Sequence, residues 1–187
     1  MGDAMINSLK KHAFKDAFLL YSYFSHLLFI MLNLSPHFIR NLIFRLLLSK
    51  LGTAPIIDYS VYFRYFKGIE IGDYVSINRG CEFFTSSNLD AMIRIGNHVA
   101  IAPHVKFYAA GHDYTDISLP DIAADITVGD HCWIGANTII LHGADIEEGA
   151  VIAAGSVVTG NIPAYSIAAG VPAKVLKKRH CSSALSK

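Results

Sequence analysis

Large apolar residues recur every six positions through most of this chain. Counting in sixes from Thr53 gives Tyr59, Tyr65, Ile71, Ile77, Phe83, Leu89, Ile95, Ile101 and Phe107, so nine of the ten positions are bulky and apolar. The phase breaks and resumes at Ile122, followed by Val128, Ile134, Ile140, Ile146, Ile152, Val158 and Ala164. Position five of the hexads is also apolar or small, as in Ile57, Ile69, Val75, Ile93, Val99, Val105, Cys132, Ala144 and Ala150. Gly72, Gly96, Gly129 and Gly135 fall at position two, where a turn needs a permissive backbone. A helix repeats every 3.6 residues and a strand every two, so neither produces this spacing. A period of six predicts a solenoid in which each hexad forms one side of a coil and stacking buries a continuous core. Eighteen hexads at three per turn predict about six three-sided coils. The alternative is a sandwich of short strands with chance spacing, and sixteen bulky apolar residues in eighteen slots argue against it.

The break in phase is informative. One hexad ends at His112 and the next begins at Ile122, leaving residues 113–121 as an excursion that starts directly after Gly111–His112. Long loops thrown from a rigid scaffold are where binding and catalysis concentrate.

Residues 1–52 follow another pattern. The run Ala17–Leu34 is uncharged and rich in Leu, Phe and Tyr, and reads as a helix. Ser35 and Pro36 interrupt it, a good N-cap followed by a residue suited to a first helical turn. A second helix is expected over 36–50, ending before a C′ glycine at Gly52. Its apolar stripe would be Phe38, Ile39, Leu42, Ile43, Leu46 and Leu47, with Arg40 and Arg45 lying away from it. The uncharged run is just long enough to span a bilayer. It nevertheless carries Ser22, Ser25, His26 and Asn33, and no convincing signal-peptide pattern precedes it. Packing against the main domain or a partner copy, an in-plane membrane contact through residues 17–48, and a true span are the three readings.

Composition narrows the class. The chain has 187 residues, 52% apolar and 17% charged, which excludes intrinsic disorder and fits one domain with an appendage. A net charge of +1 gives no support for nucleic-acid binding. The charge is uneven: residues 1–51 carry six Lys or Arg against two Asp. Cys81, Cys132 and Cys181 show no CxxC spacing, so neither a disulfide framework nor a zinc site is expected, and a cytoplasmic location follows. Cys81 and Cys132 fill small core slots and read as inert buried thiols.

The stretch Cys132–Arg179, CWIGANTIILHGADIEEGAVIAAGSVVTGNIPAYSIAAGVPAKVLKKR, resembles the ending of the hexapeptide-repeat O-acetyltransferases of the galactoside and maltose acetyltransferase type. Its combination of WIG, IAAGSVVT and AAGVPAK is specific, and the resemblance extends over roughly Ile71 to Lys178. The apolar N-terminal segments look more like the branch that acetylates capsule, colanic acid and other surface polysaccharides. The resemblance implies an all-β left-handed parallel β-helix, a homotrimer whose sites draw on two subunits, acetyl-CoA as donor and a carbohydrate acceptor. The expected organisation is an N-terminal helical segment over 1–52, the β-helix over 53–170 and a short tail over 171–187.

A sugar hydroxyl is a weak nucleophile at neutral pH, so a positioned base must take its proton as it attacks a thioester. Imidazole suits that task. Nine histidines make the residue type alone uninformative, but His112 opens the excursion and matches the family's catalytic histidine. Asp113 and Asp116 are near enough in sequence to orient it or to bind acceptor hydroxyls, although exposed loop aspartates are more often simply solvated. Asn78 matches an asparagine that positions the acceptor hydroxyl, a role suited to a side chain that both donates and accepts. Trp133 matches a tryptophan lining the acceptor and donor cleft. Ala136, Ala154 and Gly155 match backbone contacts to the pantetheine arm, Thr159 a further donor contact, and Lys174 a phosphate-binding residue. Gly160–Asn161 replaces the Lys–Asp pair common after Val–Thr in the family, which removes one positive charge from the donor groove. Lys177, Lys178 and Arg179 either compensate for that charge or, the simpler reading, form a solvated tail. The oxyanion of the tetrahedral intermediate needs a hydrogen-bond donor, expected to be a backbone N–H.

His98, His104, His131 and His142 show no ligand spacing, and no metal is expected. The expected activity is acetyl-CoA-dependent O-acetylation of a sugar hydroxyl on a surface-polysaccharide precursor, in the cytoplasm either free or at the inner face of its membrane. Its rivals are N-acetylation of an amino sugar, a non-catalytic solenoid scaffold and a γ-carbonic-anhydrase-like metalloenzyme.

Overall fold

The computed structural model describes residues 2–87 and 89–180, with side-chain detail from Asp16 onward. Cys181 and the end of the expected tail, 181–187, lie outside the described residues. The chain divides into two units, residues 1–36 and 37–187. The first contains helix α1, Gly2–Leu34. The Ser35 hydroxyl donates to the carbonyl of Met31 at 2.8 Å, so this residue finishes α1.

The second unit begins with helix α2, His37–Leu47, and continues as a coil of short strands. Successive strands fall in turn into three parallel sheets. Sheet A stacks Lys50–Leu51, Ile69–Ile71, Ile93–Ile95, Ile126–Val128 and Asp145–Ile146. Sheet B stacks Ile56–Ile57, Ser76–Ile77, Ala100–Ile101, Trp133–Ile134, Val151–Ile152 and Ser166–Gly170, with Ala173–Lys178 added antiparallel at its end. Sheet C stacks Tyr62–Arg64, Glu82–Phe84, Lys106–Tyr108, Ile139–Leu141 and Val157–Val158. The chain therefore passes A to B to C and back to A around a three-sided prism.

The core sits inside the prism as vertical ladders. Phe63, Phe83 and Phe107 are fully buried on sheet C, with ring centroids 5.0 and 4.5 Å apart. Ile71, Ile95, Val128 and Ile146 form the corresponding ladder on sheet A. Each such side chain contributes about 1.5–3 kcal/mol by leaving water.

The register corrects the hexad count at both ends. Leu51 pairs with Ile71, Ile57 with Ile77 and Phe63 with Phe83, each 20 residues on. The core slots of the first coil are thus Leu51, Ile57 and Phe63, while Thr53 and Tyr59 are exposed and Tyr65 is half-buried. Two additional residues around the short 3-10 turn Phe66–Gly68 displace the phase. The next spacing is 24, Ile71 to Ile95, because the chain bulges between Phe84 and Ile93, and Leu89 lies on that bulge. Its match to the period arises because the extra length is itself one hexad. Ile122 lies on the excursion and Ala164 is exposed, with Ile162 buried in its place. Only the last complete coils keep 18 residues, as in Val128 to Ile146 and Ile140 to Val158.

The position-two glycines have another cause than the one expected. Gly72, Gly96, Gly129 and Gly135 do not adopt positive φ; a Cβ at Gly129 would lie 2.6 Å from the backbone nitrogen of Glu148, and at Gly135 2.5 Å from that of Ala154. They let one coil settle on the next. Positive φ falls two residues later, at Tyr74, His98, His131 and Asn137, where the chain turns each corner.

The N-terminal boundary also shifts. Lys50–Leu51 already belongs to sheet A, three residues past the end of α2 and before Gly52. In α2, Arg40 and Phe44 are buried, Phe44 packing edge-on against Phe63 at 5.2 Å. Arg40 does not lie in solvent: it is 1% exposed, donates to the carbonyl of Asp58 at 2.8 Å and covers the Tyr59 ring. Burial holds its guanidinium below its ordinary pKa. Of the apolar stripe, Phe38, Ile39, Leu42 and Leu46 are exposed, while Ile43 and Leu47 are half-buried.

Candidate active site

The excursion is a β-hairpin rooted at the C–A corner. Ala109 is fully buried there, and Ala124 N–H donates to its carbonyl at 3.0 Å, closing the base. Above it Ala110–His112 pairs antiparallel with Asp121–Ala123. Asp113 accepts the backbone N–H and hydroxyl of Thr115 at 2.9 and 2.6 Å, and Asp116 accepts those of Ser118 at 2.8 and 2.9 Å. These bonds hold both carboxylates below the ordinary Asp range. The two aspartates therefore shape the tip and do not orient the histidine.

The orienting groups are Leu119 and Asp121. His112 Nδ1 lies 3.0 Å from the Leu119 carbonyl and 3.1 Å from Asp121 Oδ1. A carbonyl oxygen only accepts, so Nδ1 carries the proton, and in the neutral ring the lone pair sits on Nε2. Nε2 has no partner among the described residues, and the side chain is 62% exposed. The ring is thus fixed by one nitrogen and open at the other. Asp121 was legible only as the last residue of a loop; the antiparallel pairing places it opposite His112. The root of the hairpin is braced by Asp125, which accepts Met92 N–H at 2.8 Å and pairs with Arg94. Those bonds, the Arg94 one foremost, hold its carboxyl below the usual range.

The other expected residues gather on sheet B and its edge with sheet C. Trp133 is 55% exposed on the outer face of sheet B, in register with Ala100 and Val151. Ala136 and Ala154 occupy equivalent corner positions in adjacent coils, and Gly155 N–H donates to the Ala136 carbonyl at 2.8 Å. Nothing lies within 4 Å of where a Cβ on Gly155 would sit, so the corner opens onto free space. Lys174 is exposed and pairs with Ala169 at the end of the same sheet. Asn78 stands at this corner too; its Nδ2 donates to the Ile101 carbonyl at 2.8 Å, which leaves the amide oxygen as its acceptor. Thr159 is exposed at the C–A corner, the edge from which the hairpin leaves. The chain therefore presents His112 and Thr159 at one edge, and Asn78, Ala136, Ala154 and Gly155 at another.

Several residues differ from expectation. Within the expected tail Ala173–Lys178 forms a strand, and Arg179 is half-buried, its Nη1 donating to the carbonyls of His131 and Gly149 at 2.9 and 2.7 Å. Asn161 donates to Glu147 at 3.1 Å, while Gly160 faces open space. His98 stacks on His131 with centroids 5.0 Å apart, and His104 lies over Gly80. Among the described residues no three His, Cys, Asp or Glu side chains gather to hold a metal ion. Cys81 and Cys132 are buried free thiols, and burial pushes both pKa values up to about 11.

Comparison with known proteins decides the family. Residues 125–160 match the bacterial transferase hexapeptide (six repeats) family. The chain is 32% identical to the galactoside O-acetyltransferase of Escherichia coli, over 74% of this chain and 68% of that protein. It belongs to the hexapeptide-repeat acetyltransferases. A putative colanic acid biosynthesis acetyltransferase of the same organism is 28% identical, over 75% of both chains. The crystal structure of a hexapeptide-repeat acetyltransferase from Vibrio cholerae, complexed with acetyl coenzyme A, superposes with a TM-score of 0.76. That structure is 31% identical and covers 84% of this chain and 86% of its own. This hexapeptide-repeat protein is an acyltransferase, and its stacked prism is a left-handed parallel β-helix. The left hand departs from the usual right-handed parallel crossover, whose preference rests on long connections that these tight corners lack.

Proposed function

We propose that this acyltransferase moves the acetyl group of acetyl-CoA to a sugar hydroxyl on a surface-polysaccharide precursor, with His112 as general base. The observation that carries the reading is the His112 imidazole, proton-bearing and held at Nδ1, with Nε2 exposed and unpartnered. Nε2 takes the proton of the acceptor hydroxyl as its oxygen attacks the thioester carbonyl. The same proton then serves the departing thiolate. Asn78 offers its amide oxygen to the acceptor, and a backbone N–H of a corner stabilises the oxyanion.

The residues at the B–C edge fit the donor. Ala136, Ala154 and Gly155 keep side chains short beside a strip of backbone, which suits an extended pantetheine arm. Trp133 supplies an exposed ring on sheet B and Lys174 an exposed cation for phosphate, while Thr159 offers a hydroxyl from the C–A edge. The solved neighbour bound to acetyl coenzyme A supports this donor.

The two groups leave the prism at different edges, and the hairpin tip exposes Tyr114 and Ile117 fully. A homotrimer satisfies both facts: the hairpin of one protomer meets the B–C edge of its neighbour, a heterologous contact that closes into a ring. The sugar acceptor and polysaccharide role rest on the galactoside and colanic acid relatives. The free buried thiols are consistent with a cytoplasmic protein.

The test is release of free thiol from acetyl-CoA in the presence of a glycan panel. His112→Ala lowers turnover about 10²–10⁴-fold with the oligomer intact. Normal turnover in that variant removes the assigned base, and no turnover of any glycan by the unmodified protein removes the sugar acceptor.

A further inference from the structure

Helix α2 has a buried face and, opposite it, an exposed apolar one. Arg40 and Phe44, four residues apart, point into the end of the prism together with Leu48. Phe38, Leu42 and Leu46 are also spaced by four and are 64%, 60% and 72% exposed, with Ile39 beside them. The sets are offset by two residues, which is about 200° on a helix, so one faces away from the other. A helix that only closed the coil would carry polar residues outside. Within unit one, α1 by itself also exposes apolar residues: Leu20, Tyr23, Phe24, Leu27, Ile30, Met31 and Leu34. Its stretch Asp16–Leu34 has a mean hydropathy of 1.6.

Charge identifies the occupant. The segment before this stretch contains Lys10, Lys11 and Lys15, while Arg45 and Lys50 are exposed on and just beyond α2. Acidic residues are confined to Asp3 and Asp16 over the first 51 positions. Apolar faces flanked by basic residues match an anionic bilayer, where the rings and aliphatic chains enter the interface and the cations meet headgroups. A second copy would meet these cations with its own. The side-by-side trimer proposed above joins through prism edges, whereas α2 covers an end.

We propose that α2 docks this protein on an anionic membrane through Phe38, Leu42 and Leu46. This does not depend on the acceptor assigned above. The experiment is flotation of the full chain with vesicles of phosphatidylcholine alone or mixed with phosphatidylglycerol. The full chain floats with the anionic vesicles, at least fivefold more than with neutral ones. Leu42→Glu/Leu46→Glu loses at least tenfold of that bound fraction, while its oligomeric state and thiol release from acetyl-CoA stay unchanged. Failure of the full chain to float overturns the proposal, as does undiminished flotation of the double variant. A changed oligomeric state of the variant without lipid also overturns it, by assigning the face to a second copy. A milder variant, Leu42→Ser/Leu46→Ser, gives the same reading if the glutamates impair folding.

Discussion

Asp130 Oδ1 accepts the backbone N–H of Asn97 at 2.7 Å, joining two coils 33 residues apart in sequence. The same device recurs two coils down, where Asp73 accepts the N–H of Thr53 at 2.6 Å. These corner amides would otherwise face solvent at the edge of each sheet, so the carboxylates serve as staples between coils.

Acid should loosen the staples. The backbone bond from Asn97 and the side-chain bond beside it hold the Asp130 carboxyl below its ordinary range, and Asp58 and Asp125 are likewise depressed. A native pKa below the unfolded one means that the unfolded chain binds more protons between the two, so stability rises with pH there. The contribution is complete above about pH 5 and is lost as pH falls through the depressed values, given an unfolded Asp near 3.9. Thermal unfolding midpoints between pH 7 and pH 3 should fall for the unmodified protein and fall less steeply for Asp130→Asn.

The glycines should separate into two classes. Gly129→Ala and Gly135→Ala force a Cβ into the backbone of the adjoining coil, at 2.6 and 2.5 Å, and should cost about 1–3 kcal/mol or more. Gly160→Ala meets nothing within 4 Å and lies outside the positive-φ region, so its unfolding midpoint should stay close to that of the unmodified protein. Calorimetry on the three variants checks this.

The corrected register makes its own prediction. Phe83→Ala opens a cavity in the stacked Phe63–Phe83–Phe107 ladder and should cost about 3–5 kcal/mol. Leu89→Ala, at an equally good hexad position, should change stability by about 0.5 kcal/mol or less, because that residue stands on an exposed bulge. Denaturant midpoints of the two variants decide between the register and the bare period.

Gly160 offers a gain of function. The family pattern that this chain resembles has a Lys–Asp pair after Val–Thr, and the structure leaves room for a side chain at Gly160 beside the exposed Thr159. Gly160→Lys should lower the KM for acetyl-CoA several-fold at low salt and less at 0.5 M salt, with kcat little changed. An ion pair with a phosphate has that salt signature.

The membrane question and the catalytic question were legible to different depths. His112 was evident from its place at the start of an excursion, and Trp133, Ala136, Ala154, Gly155, Thr159 and Lys174 from motifs. Their partners were not. Asp113 and Asp116 are nearer to His112 in sequence than Asp121, yet it is Asp121 that stands across from it, because strand pairing matches residues by register and not by separation. Arg40 gave no sign of burial: a charge beside an apolar stripe normally marks the wet face, and only the open end of the prism, with bare carbonyls at Ile57 and Asp58, gives it a buried place.

The period of six determined the architecture by itself, since apolar residues at that spacing face one interior only if the chain turns after each hexad. It also determined which side chains fill the middle coils. The sequence could not determine register where coils lengthen. An added hexad at the bulge after Phe84 keeps the period and still moves Leu89 out of the core, so period and position part company there. Tertiary structure decided that, along with the orientation of His112 and the outward face of α2. Each depends on which distant backbone lies alongside, a relation set by stacking between coils and carried by no local run of residues.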